Sequence, residues 1–212
     1  MGIANGYATL AQLKAEIMTS WPGADTADDT LLERAVESAS RWIDRKTGTR
    51  FYTTTNDETR YYTLTGEDSE TFLCPDDILS VTTLATDDGG RTWSDTWAAT
   101  DFDLCPLGAT SNPTGAMPFT WIETTPEGEY TYTFYRKGIK IIGKFGYCAV
   151  ASIPTDIVRA TLLIAQRLFK RKDAVFGVMG TAAMGQVTLQ IPQDPDVMAL
   201  ILPYVERNRG PY

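Results

Sequence analysis

The chain has 212 residues, of which 43% are hydrophobic. Its 19 Lys/Arg stand against 27 Asp/Glu, a net charge of −8, and it contains no histidine. The apolar fraction supports a packed core and excludes a disordered chain, and the length leaves room for one large domain or two small ones. The missing histidine removes the commonest general base and metal ligand, so any catalysis would have to run on carboxylates or lysine.

The charge is unevenly spread. Residues 1–50 carry six basic and seven acidic residues, residues 51–135 two and fifteen, and residues 136–212 eleven and five, or −1, −13 and +6. An acidic middle of this kind reads as a solvated β surface, or as one that repels nucleic acid or pairs with a basic partner. No window reaches the apolar length that crosses a bilayer. The opening MGIANGYATL has neither a basic n-region nor a continuous apolar core, so it does not read as a secretory signal, and Gly6 stands where a myristoylation signal takes Ser or Thr. Cys74, Cys105 and Cys148 are odd in number and far apart. They predict neither a disulfide framework nor a CxxC metal site, but reduced, buried small residues.

In chain order, residues 9–20 predict a first helix, with Thr9 and Gln12 as a capping box and Leu10, Leu13 and Ile17 at helical spacing. Trp21-Pro22-Gly23 stops it. A longer helix follows over about 30–47, with several possible N-caps between Asp25 and Thr30. Its apolar face is Leu31, Leu32, Ala35, Val36, Ala39, Trp42 and Ile43, and Gly48 closes it at C′.

From Arg50 to about Tyr147 the period falls to two and Thr, Tyr, Phe and Trp abound, which predicts strands. They fall near 60–65, 71–73, 80–86, 91–97, 101–104, 119–124, 130–136 and 139–145. Asp87-Asp88-Gly89-Gly90 makes a hairpin turn, 106–118 a loop, and Pro126-Glu127-Gly128 a further turn.

A third helix is expected over about 154–172, with Pro154 and Asp156 in its first turn and Lys170-Arg171-Lys172 at its C-terminal end. It is apolar nearly all round, with a narrow polar stripe of Arg159, Gln166 and Lys170, and so must be covered on most sides. Residues 177–193, rich in Gly and Met, read as a mobile loop followed by a short strand, 187–191. A last helix starts near Pro195, and Pro203 should kink or shorten it.

Few motifs carry chemistry. Gly138–Phe145, GIKIIGKF, is one residue short of a phosphate-binding loop, but Phe145 replaces the hydroxyl that would hold magnesium and the segment alternates like a strand. Asp76-Asp77 and Asp101/Asp103 are conceivable acid–base pairs but read as solvated turn and edge residues. Asn112-Pro113-Thr114 is no glycosylation acceptor, because proline fills its middle position. Trp93, Trp97 and Trp121 lie in the β segment, where strand packing is the plain reading and a stacking platform the sharper one. The −13 charge around them disfavours nucleic acid.

Three stretches together resemble the head–tail connector (adaptor) family of long-tailed bacteriophages. They are YATLAQLKAEI with DDTLLERAVESASRWIDRKTGTRFY, then PDDILSVTTLATDDGGRTW with DFDLCP, and then FGYCAVASIPTDIVRATLLIAQRLFKRKD with DPDVMALILPYVERN. The resemblance implies an α+β protein: a bundle of about four helices, two N-terminal and two C-terminal, around a large antiparallel β-rich insertion. Residues 1–50 and 148–212 would form the helical connector core and 51–147 the insertion. It implies a virion structural protein with no enzymatic activity and no cofactor or metal. Such a subunit forms a homo-oligomeric ring, a dodecamer by the portal's symmetry, at the neck between head and tail. Its partners would be copies of itself, the portal protein, and tail-side neck, stopper or tail-terminator proteins. DNA would be passing cargo only, and no membrane is involved. The residues expected at interfaces are Arg159, Leu163, Lys170, Arg171, Lys172, Tyr204, Arg207, Arg209 and Tyr212, with the tail toward the portal. The alternative is a β-rich glycan-binding module flanked by helices and using Trp93, Trp97 or Trp121; a carboxylate-dependent hydrolase is a third class.

Overall fold

A computed structural model describes residues 2–17, 26–66, 68–111, 117–172, 178–179, 187–188 and 194–207. The chain divides into two compact units, Met1–Thr49 with Val150–Tyr212, and Arg50–Ala149. The first is helical and the second antiparallel β, an α+β architecture.

The helical unit holds α1 (Leu10–Ile17), α2 (Asp29–Thr47), α3 (Thr155–Lys170) and α4 (Pro195–Arg207). The capping box forms reciprocally at α1: the Gln12 amide donates to Thr9 Oγ1 at 3.2 Å and the Thr9 amide to Gln12 Oε1 at 2.7 Å. Asp28 occupies the N-cap of α2 but makes no side-chain cap, because its carboxylate is bound to Lys172 instead. Gly48 ends α2 in the left-handed region at φ 68°, its N–H bonded to Asp44 O at 2.8 Å. Pro154 sits just ahead of α3 rather than inside it, and its carbonyl accepts the amides of Ile157 and Val158. Pro203 does not shorten α4, which runs on to Arg207.

The core of this unit follows the helical period. Leu13, Leu32, Val36, Ala39, Ile43, Ile157, Ala160, Ile164, Ala165, Val197 and Ile201 are buried. The third helix packs against α1, α2 and α4, so the cover its apolar surface demands comes from this chain. Two residues of the expected α2 face sit differently. Leu31 is exposed, one position off the inward stripe, and Trp42 is half-buried with Lys46 over its ring at 5.7 Å. Among residues 177–193 the described part is a short antiparallel ladder, β8 (Val178–Met179) with β9 (Val187–Thr188). The rest of the expected loop, and the ends of the expected strand 187–191, lie outside the described residues.

The β unit contains two sheets. One has the order β1 (Glu58–Tyr62), β7 (Ile139–Phe145), β3 (Ile78–Thr86), β4 (Asp95–Thr96); the other runs β2 (Phe72–Leu73), β6 (Trp121–Thr124), β5 (Phe102–Cys105). All pairings are antiparallel. Ile78, Leu84, Ile139, Ile141 and Phe145 from the first sheet and Leu73 and Ile122 from the second share one buried cluster with Trp97 and Tyr132. The sheets therefore enclose a core between them, and alternation turns the other side chains outward.

One expected strand is cut short and another is absent. Residues 91–97 yield only β4, because Arg91 and Trp93 take positive φ of 57° and 48° and break the ladder. Residues 130–136 are irregular: Tyr132 is buried and its amide donates to Glu70 O at 2.8 Å, but no strand partners the segment. The near-match to a phosphate loop is β7 itself. Gly143 is there for close approach, since a Cβ would lie 2.1 Å from Ser80 O opposite an irregularity in β3.

Candidate functional site

The titratable groups with shifted equilibria are explained by packing, not by a reacting centre. Glu58 sits between Arg50 and Arg60, at 2.7 Å from each, and Arg60 also reaches Asp76 at 2.5 Å and lies 4.2 Å over the Phe145 ring. Burial works to raise the Glu58 carboxyl, yet the two guanidinium groups outweigh it and hold it at about 2. Tyr62 donates to Asp76 at 3.1 Å, and burial together with that carboxylate raises its phenol. This network covers the inward side of β1, an edge strand whose facing positions carry charge rather than aliphatic bulk.

Of the carboxylates that could have paired as acid and base, Asp76 is bound by Arg60 and Tyr62. Asp101 is buried and accepts the Ala98 amide at 2.7 Å, while Asp103 points outward. Burial raises the Cys148 thiol to about 11, and its Sγ donates to Phe51 O at 3.2 Å, which makes it a packing residue. Among the described residues no cluster of three or more His, Cys, Asp or Glu can hold a metal ion. Among the same residues no helix is long and apolar enough to cross a membrane.

Of the three candidate stacking tryptophans, Trp97 is removed from that role. It is 5% exposed, stacks on Tyr132 at 4.8 Å, and donates to Thr86 Oγ1 at 3.0 Å. Trp93 lies against Tyr61 at 4.8 Å on the first sheet. Trp121 lies on the second, 6.3 Å from Phe72, with its Nε1–H on Glu123. The three do not form one platform.

The residues expected at interfaces sit as follows. Arg159 pairs with Glu16 and so ties α3 to the end of α1; Gln166, which donates to Glu16 O at 2.9 Å, adds to the same tie. Leu163 is half-buried on α3. Lys170, Arg171 and Lys172 are exposed at its C-terminal end, and Lys172 binds Asp28 and lies 4.5 Å over the Phe169 ring. Tyr204 is half-buried on α4, and Arg207 is that helix's last residue. Arg209 and Tyr212 lie outside the described residues.

Lys172 also borders an open groove of about 200 Å³ between α2 and α3, with Leu31, Ala35, Leu168 and Phe169 along it and Arg34 on its edge. It is apolar with basic margins.

The buried Asp194 was not singled out from the sequence. Its carboxylate pairs with Arg167 of α3 and accepts the Asp196 amide at 3.1 Å, so it both caps and anchors α4. The signal was present as an acid directly before Pro195. Tyr7 was missed as well: its amide donates to Ser40 Oγ at 3.0 Å and its hydroxyl bonds Asp44, fastening the N-terminal segment to α2.

No protein-family model matches the chain, and no curated protein matches it. Solved structures do. A chain from the virion of a native gene transfer agent (GTA) particle aligns with TM-score 0.58 at 16% identity, covering 96% of this chain and 92% of that one. A chain from the neck of an empty GTA particle computed with C6 symmetry gives 0.57 at 16% over the same shares. One from the neck of a native GTA particle computed with C12 symmetry gives 0.51 at 17%, over 96% and 91%. At these identities the shared property is the fold, and the chain has it over nearly its whole length.

Proposed function

We propose that this chain is a structural protein of a virion neck, an adaptor subunit that forms a ring under the portal and joins head to tail around a channel for DNA. The observation that carries this reading is the end-to-end fold likeness to chains from GTA neck and virion structures. It agrees with the resemblance to phage connectors carried by the sequence. On this reading residues 1–50 and 148–212 are the connector core and 51–147 an insertion. The ring is homo-oligomeric, and sixfold and twelvefold neck symmetries in the matched structures support a dodecamer. The portal and the tail-side neck proteins are its other partners, and the particle neck is its location.

The charge distribution supports passive passage of DNA. Arg50–Ala149 carries seven basic and fifteen acidic residues and the remainder twelve of each, so the whole excess of −8 belongs to the β unit. Such a surface supplies few counterion-releasing contacts to phosphates. The basic end of α3 with its groove, and the tail from Tyr204 onward, are the proposed docking elements for the portal and its neighbours. The reading is tested by mass spectrometry of purified particles from cells that encode the chain. Stoichiometric recovery with portal and tail proteins is expected; its absence from intact tailed particles would refute the proposal.

A further inference from the structure

The β unit has two outward faces of opposite character, and neither is neutralised within the unit. On the first sheet, Lys140 projects outward beside Tyr61, its cross-strand neighbour on β1, with its Nζ 5.9 Å over the Trp93 ring. Arg136 and Lys137 are exposed just ahead of β7, and the Tyr135 ring rests against Gly89. Tyr61 and Tyr135 are 43% and 52% exposed, high for such large rings. Among the described residues, neither Arg136, Lys137 nor Lys140 has a carboxylate partner, whereas Lys144 further along β7 is paired with Asp57 at 3.4 Å.

On the second sheet, Asp103 and Glu123 stand directly opposite each other in the β5–β6 register, both exposed. Like charges in that position destabilise a strand pair. Neither has a basic partner among the described residues; Glu123 accepts only from Trp121. Phe72 and Trp121 flank them, so this face too combines charge with aromatic surface.

The basic face is built at a conformational cost. The three non-glycine residues with positive φ among the described residues are Arg91, Trp93 and Lys137, all at its rim. Trp93 in that conformation lays its ring on Tyr61 and gives its Nε1–H to Lys137 O at 3.0 Å. Buried Asp87 holds the loop by accepting the Thr92 amide at 3.0 Å. Strain retained in this way is characteristic of recognition surfaces.

We infer that the outward face of the β1-β7-β3-β4 sheet in one copy docks against the outward face of the β2-β6-β5 sheet in the next, with Lys137 and Lys140 meeting Asp103 and Glu123 of the neighbouring copy. The occupant is a second copy because one chain carries both halves of the complement. The contact is heterologous, the type that closes into rings. The inference rests on the ring reading above and names the subunit contact within it.

The test is sedimentation velocity of the full chain across concentration and salt, with two charge-reversed variants checked for folding by near-UV circular dichroism. Wild type should self-associate at low salt and weaken as salt rises. Lys137→Glu/Lys140→Glu and Asp103→Lys/Glu123→Lys should each lose about a hundredfold or more in self-affinity, since facing like charges costs several kcal/mol. Mixing the two variants should restore association, because each keeps the half the other lacks. Variants that associate like wild type overturn this contact and leave the ring reading intact. A wild type monomeric up to ~1 mM overturns it as well, and the ring reading is then decided by particle composition alone. A mixture no better than its parts also overturns it.

Discussion

At the scale of the residue, the clearest energetic commitment is Glu58. Its carboxyl is held at about 2 against an ordinary value of 4.5 by Arg50 and Arg60. A depressed carboxylate stabilises the fold above its unfolded pKa and loses that contribution as pH falls through its folded one. Glu58→Gln should therefore destabilise the β unit at pH 7 by about 1.5–3 kcal/mol, the range for hydrogen bonds to charged groups. The gap from wild type should narrow between pH 4.5 and 2 and close below that, as read by chemical denaturation at each pH. An unchanged gap at pH 2 would assign the network's contribution to some other group.

At the scale of the element, α4 is held less by its own sequence than by Asp194. One buried carboxylate supplies both the cap and the ion pair to Arg167. Asp194→Ala removes the cap and leaves a half-buried Arg167 without its partner, so it should cost about 1.5–3 kcal/mol and loosen α4. Loss of helical circular dichroism together with early proteolysis near the C-terminus would report it; a wild-type melt would contradict it. Elements were legible in the sequence where period, cap and stop agreed. Thr9/Gln12, Gly48 and the aliphatic alternation of Ile139–Phe145 all point the same way, and those elements stand within a few residues of their expected limits. They failed where one tertiary bond overrode the period. Tyr130–Arg136 alternates like a strand, yet Tyr132 is drawn into the core and no neighbouring strand remains to pair with the segment. The left-handed Arg91 and Trp93 carry no local mark, because neither is a Gly or Asn. The central position of β7 between β1 and β3 arises from pairings 53 to 85 residues apart, from Thr86↔Ile139 to Glu58↔Gly143, which no local pattern encodes.

At the scale of the whole molecule, assembly surfaces were legible only as composition. The third helix, apolar nearly all round, demands cover on most sides, and α1, α2 and α4 of the same chain supply it. Among the described residues, the groove beside Lys172 and the two charged faces of the β unit that we propose for partners are each assembled from segments distant in sequence. Because the whole negative excess lies in the β unit, the isolated chain should not retard duplex DNA in a gel at ~150 mM salt, where phosphate binding requires clustered cations. Salt-sensitive retardation at micromolar protein would contradict a passive channel wall. The neck assignment is tested most directly by a cryo-EM reconstruction of the neck in tailed particles from cells that encode this chain. A closed ring of this fold is expected at the head–tail junction, one subunit's basic β face against the next one's acidic face. A neck whose density is filled by other chains, with this fold absent from it, would contradict the claim.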